Sequence, residues 1–266
     1  MRITSANLDE TVELNAQISK EVEDHIAYIE KRLIKWRTFP IEQQAFEILK
    51  LNQLIEVPIP DLNWGGAIRR FPNGQNVPII NTAQPRVYQY FIYWHEIYHL
   101  TESEELKLHG NGYDISIEFD LTERKADYFA SQMIFGNGEL YDYYHTLEFE
   151  DFYVKIAHCM KSYKSPYKAV LIQLYQLAKK NQNQALQEVI KSHFDKQLTT
   201  QTWESLFQEY SLDDTLIKPS NVTNLNAIKG PIKEEIKQHS DVELFAENLR
   251  VVEGWEKEFK RELNKS

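Results

Sequence analysis

The chain has 266 residues, a formal net charge of −10, 42% hydrophobic residues and a single cysteine. That length allows one large domain or two small ones with a sizeable core, and the acidic balance argues against direct nucleic-acid binding, which wants a basic face. Cys159 has no partner for an intrachain disulfide, which fits a reducing cytosol; no opening apolar segment suggests a signal peptide, and no run approaches the ~18 apolar residues of a membrane span.

Leu8, Val12, Ile18, Val22, Ile26, Ile29, Leu33 and Trp36 mostly keep a three-four spacing, so residues 8–37 are expected to form one long helix. Its apolar stripe would dock on the core or offer a partner surface; His25, beside the stripe, reads as non-functional. Pro40 suits the first turn of a helix over 40–53. Ile55–Ile59 reads as a short strand. Ala67–Phe71 and Asn76–Asn81 flank Pro72-Asn73-Gly74-Gln75, and Asn-Gly between two such runs predicts a hairpin.

Pro85 opens a helix over 86–101, ending in the acidic, solvated run Thr101–Glu105. His109–Gly112 reads as a turn, and the alternation of Tyr113, Ile115, Ile117 and Phe119 as a short strand or extended lid. Asp120 would cap a helix ending near Gly136-Asn137-Gly138. Cys159 reads as a buried helical thiol. Ser165-Pro166 would cap a helix over 166–180, followed by helices near 183–195 and 201–210. Asp213–Lys229 reads as irregular, with Gly230-Pro231 opening a short helix. Ser240-Asp-Val-Glu243 reads as a capping box for a final helix over 241–264, with Phe245, Leu249, Val252, Phe259 and Leu263 on one side. The expected division is an N-terminal helix (1–38), a core (39–180) and a C-terminal helical extension (181–266).

The chemistry concentrates in Tyr90–Leu100, YFIYWHEIYHL, which holds the HExxH pattern His95-Glu96-x-x-His99. Histidines four apart share one face of a helix, about one turn apart, so both imidazoles can reach one zinc ion. Glu96 projects about a quarter-turn away, where it can hold and deprotonate a water. The surrounding residues are almost all apolar or aromatic, and burying two histidines and a glutamate among them is costly unless something pairs them. In LTERKADYFASQMI, Glu123 and Asp127 share a helix face. Glu123 can supply a third ligand, and Asp127 can accept the Nδ1–H of a ligating histidine. Three protein ligands suit a catalytic rather than a structural zinc site. The metzincin pattern does not apply, because its glycine and third histidine would fall on Glu102 and Glu105; His109 remains an alternative ligand. Tyr141, Tyr143, Tyr144 and His145 lie in an aromatic-acidic stretch and are either oxyanion stabilisers or a surface patch.

These residues resemble the ImmA/IrrE-type (DUF955) metallopeptidases. The matching pieces are Ala45, Phe46, Ile48 and Leu49; the hairpin Gly65–Phe71 with Val77–Asn81; Phe91 and the HEIYH run; Glu123-x-x-Ala126-Asp127-x-Phe129-Ala130; and Ser165–Ala178. The resemblance spans roughly residues 40–178 and is carried mainly by the two motifs. The chain departs from the family's usual HELGH at Ile97-Tyr98, and has Tyr90 where the family often has Arg. The resemblance implies a zinc-dependent endopeptidase with His95, His99 and Glu123 as ligands and Glu96 as base. It also implies a helix-turn-helix repressor of a phage or mobile element as protein substrate. In zinc peptidases of this kind an edge strand often holds extended substrate, and Val77–Ile80 or Ala67–Phe71 is the candidate. The expected fold is α+β and predominantly helical: a zincin-like core with a small sheet beside the HExxH helix, plus additional N- and C-terminal helices. The expected setting is cytoplasmic, with one Zn2+ and neither nucleic acid nor membrane bound directly. Two other readings stand: a regulatory binding protein that keeps the zinc fold without proteolysis, and a zinc hydrolase of small amides.

Overall fold

The computed structural model describes residues 3–105, 115–136, 138–196 and 198–263. Helix α1 (Leu8–Arg32) continues through a 3-10 turn, Leu33–Trp36, and buries Leu8, Val12, Ile18, Val22, Ile29 and Leu33. The gap in its apolar stripe is filled by Asn15, buried and donating through Nδ2 to Gln176 at 2.9 Å. A buried amide is tolerated there because it finds a partner across the core. His25 is also buried, its ring 4.9 Å from that of Tyr98. Helix α2 (Ile41–Leu51) follows Pro40 and packs Ala45, Ile48 and Leu49 inward.

The sheet has three strands in the order β1 (Ile55–Val57), β3 (Asn76–Asn81), β2 (Gly66–Arg70). Strand β3 is central, parallel to β1 with Ile55 opposite Ile79, and antiparallel to β2 with Gly66 opposite Ile80. The β2–β3 hairpin turns at Gly74, whose φ of +82° a side chain would resist. Because strand residues alternate between faces, the sheet is buried on both sides. Ile80 joins the main core beneath the HExxH helix α3 (Arg86–Glu105). Ile55, Val57 and Ile79 instead meet Leu225, Ile228, Ile232, Val252 and Phe259 of the C-terminal part, which includes α10 (Asn226–Gln238) and α11 (Glu243–Leu263). The segment before α10 also pairs with the sheet through two backbone hydrogen bonds between Glu56 and Asn224.

Helix α3 is packed on nearly every side, with Trp94, Ile97 and Tyr98 fully buried. Its main partner is α4 (Ile115–Phe135), whose Phe129 ring meets those of Trp94 and Tyr98 at 6.3 and 5.7 Å. The remaining helices complete the core: α5 (Glu139–Thr146), α6 (Phe152–Tyr163), α7 (Tyr167–Lys180), α8 (Gln184–Phe194) and α9 (Thr200–Glu209). Cys159 is buried in α6, and burial pushes its thiol up to about 12. Among the described residues, no helix is long and apolar enough to cross a membrane.

The structure is therefore α+β and mostly helical, with several local corrections. Residues 115–120 are helical rather than a strand or lid, so Asp120 lies inside α4 and is not its cap. Tyr113 and the His109–Gly112 run lie outside the described residues. The Thr101–Glu105 run is helical, and Thr101 is buried with its hydroxyl donating to the Tyr98 carbonyl. Pro166, not Ser165, stands at the head of α7, and the buried Ser165 hydroxyl makes no hydrogen bond. Gly230-Pro231 sits inside α10, which begins at Asn226, and a 3-10 turn occupies Asp214–Ile217. Helix α11 starts at Glu243, later than a Ser240 cap would place it.

Candidate metal centre

His95 and His99 project from one face of α3, and Glu123 from the facing surface of α4. The His95 Nε2 and His99 Nε2 atoms lie 3.1 Å apart. The Glu123 carboxylate places Oε2 3.2 Å from His95 Nε2 and Oε1 3.3 Å from His99 Nε2. These three side chains can hold a metal ion. With ligand bonds of about 2.0–2.2 Å, one face of a tetrahedral zinc site has edges of about 3.3–3.6 Å. The separation of the two imidazole nitrogens, and the distance from each to one carboxylate oxygen of Glu123, are within a few tenths of an ångström of that size.

The donor chemistry points the same way. His95 Nδ1 donates to Asp127 Oδ1 at 3.0 Å, which leaves the Nε2 lone pair facing the other two ligand atoms. Two imidazole lone pairs and a carboxylate converging within 3.3 Å repel one another unless a cation lies between them. With protons as that cation, burial pulls the His95 imidazole down. Hydrogen bonds to Asp127 and Glu123 outweigh it and lift the group to about 10. His99 is also raised: burial opposes, Glu102 and Glu123 favour its charged form. The same imidazoles hold Glu123 well below the usual carboxylate range.

Glu96 is 3% exposed and lies on the α3 side facing the hairpin. Burial pushes its carboxyl up, partly offset by His95 and His99. Its position depends on Gly66. A Cβ there would lie 2.9 Å from Ile92 Cγ2, 3.0 Å from Glu96 Oε1 and 3.0 Å from the Ile79 carbonyl oxygen. Glycine thus lets β2 approach α3 closely enough to wall in the Glu96 carboxylate.

The three candidate ligands and Glu96 open into a cleft of about 500 Å³, walled otherwise by Gly66, Ala67, Ile68, Arg70, Glu102 and Thr122. The hydrogen-bond pattern fixes which atoms β2 presents to it. Asn81 N donates to Gly65 O and Phe71 N to Gln75 O, so residues 65, 67, 69 and 71 of the hairpin face β3. The backbone N–H and C=O groups of Gly66, Ile68 and Arg70 point the other way. Among the described strands β2 is the edge of the sheet, so those groups face outward, where an extended chain can pair with them.

The four α5 residues are placed elsewhere. Tyr141 OH accepts from Asn183, Tyr143 OH accepts from Ser162, Tyr144 is buried under the Lys155 ammonium, and His145 packs on Tyr141. None of them lines the cleft. The structure adds residues the motif did not single out. Glu102 Oε2 lies 3.7 Å from His99 Nδ1, and Thr122 donates to its other oxygen. The Arg124 guanidinium lies 3.6 Å from Asp127 Oδ2 and helps hold that carboxylate low. Glu102 stands three residues after His99, a spacing that places both on one helix face and was available from the sequence. No protein-family model, curated protein or solved structure matches the chain.

Proposed function

We propose that this chain is a zinc-dependent endopeptidase of the ImmA/IrrE type. The observation that carries the reading is the convergence of His95, His99 and Glu123 beside a walled-in Glu96 and the outer strand of the described sheet. A bound zinc ion would polarise the scissile carbonyl and lower the pKa of the attacking water to about 7. Asp127 fixes the His95 tautomer. Glu96 accepts the proton of the attacking water and returns it to the leaving amine nitrogen, a role for which a carboxyl raised by burial is suited. The outward N–H and C=O groups of Gly66, Ile68 and Arg70 align an extended peptide across the site, and this favours a protein substrate over a small amide. The likeness of the two motifs to that family points to a helix-turn-helix repressor of a phage or mobile element as the substrate. A buried, unpaired Cys159 fits a reducing cytosol.

The test is incubation of the zinc-loaded protein with candidate repressors, read by mass spectrometry, beside Glu96→Gln. Paired fragments from the wild type, absent with the variant at equal zinc content, are the expected result. A repressor left intact by the wild type while its regulatory output persists in Glu96→Gln would overturn the peptidase reading in favour of docking.

A further inference from the structure

Ten residues wall the cleft; apart from the histidines of the metal centre, Arg70 is its basic residue, and Glu96, Glu102 and Glu123 are acidic. Arg70 closes the exposed end of β2 and makes no ion pair among the described residues. Alternation places its side chain on the same sheet face as residue 66, the face turned to Ile92 and Glu96 of α3. Its main-chain N–H and C=O lie on the free edge, so a peptide paired with β2 would run past it. The three carboxylates have tasks of their own: Glu123 and Glu96 in the metal centre, Glu102 beside His99. Among the described residues the arginine has none.

We propose that Arg70 selects substrates with an acidic side chain some four residues from the scissile bond. This rests on the peptidase reading above. The distance follows from the strand. Gly66 abuts Glu96 and therefore marks the reacting centre. Arg70, four residues on, is about 13 Å along β2 at ~3.3 Å per residue. An added strand has the same rise, so the side chain beside Arg70 is about four positions from the bond that Glu96 serves. Its carboxylate would meet a guanidinium whose planar donors suit it. For an exposed pair the gain is at most about 1 kcal/mol, which is a preference of about five-fold.

The experiment is a profile of cut sites made by the zinc-loaded full chain in a diverse peptide library, read by mass spectrometry, for wild type, Arg70→Ala and Arg70→Glu. The expected result is enrichment of Asp and Glu three to five positions from the cut on one side, by about five-fold. Arg70→Ala loses the enrichment and Arg70→Glu exchanges it for Lys and Arg, with cutting elsewhere in the library showing that the variants are folded. Cuts without an acidic preference, or with one that Arg70→Glu leaves intact, overturn the assignment of Arg70 and leave the peptidase reading standing. An uncut library with the zinc-loaded wild type overturns both.

Discussion

Substitution of Gly66 by alanine tests the packing that places Glu96. The new Cβ would sit about 0.4–0.5 Å inside ordinary contact with Ile92 Cγ2, Glu96 Oε1 and the Ile79 carbonyl oxygen. Ile92 is a side chain and can give way. The Ile79 carbonyl belongs to the central strand, held between β1 and β2, and cannot. Either β2 lifts from the sheet or Glu96 turns away from the cleft. Overpacking of this kind costs about 1–3 kcal/mol. For a chain of this size that lowers the melting temperature by roughly 2–5 °C. Thermal melts followed by circular dichroism measure the first effect, and peptide cleavage at saturating zinc the second. On the proposed peptidase reading a displaced base should reduce turnover by about 100-fold, with zinc content unchanged because the three atoms nearest the added Cβ belong to Ile92, Glu96 and Ile79 and not to a ligand. A variant that melts within 1 °C of the wild type and cuts as fast would refute the close approach of β2 to α3.

Two further outcomes follow from the same geometry. Replacing Asp127 by alanine leaves the ligands in place but frees the His95 tautomer, so zinc affinity by chelator competition should fall about 10–100-fold; an unchanged affinity would remove Asp127 from the site. Glu56 is buried in β1 against Tyr93 and Asn224, and burial raises its carboxyl despite hydrogen bonds from both. A carboxyl raised on folding contributes stability in its protonated form, fully below its ordinary value and lost as pH rises through the raised one. Glu56→Gln, which stays neutral, should therefore melt above the wild type at pH 8, and the gap should close as the pH falls towards 4. A gap that widens on acidification would show that the wild-type carboxylate is held charged.

Much of the site was legible because the chemistry is local. Histidines four apart on an apolar helix, and Glu123 and Asp127 four apart on another, needed no tertiary information to pair their faces. The hairpin declared itself through Asn73-Gly74, and α1 through its stripe, whose one gap proved to be the paired Asn15. Residues 115–120 were misread for a physical reason. Ile115, Ile117 and Phe119 satisfy a period of two, but Ile115 and Phe119 also satisfy the helical spacing of four, and the backbone runs as one helix from Ile115 to Phe135. The covering of the sheet by α10 and α11 was hidden because Val57 and Val252 meet across nearly two hundred residues of chain. Gly66 was hidden too, since its role exists only once α3 lies against the hairpin.

The most direct measurement is the metal content and affinity of the purified protein beside His99→Ala and Glu123→Ala. The wild type should take up one equivalent of zinc, and each variant should lose tight binding while remaining helical by circular dichroism. A Glu123→Ala protein that still holds one zinc as tightly as the wild type would contradict a centre shared between α3 and α4.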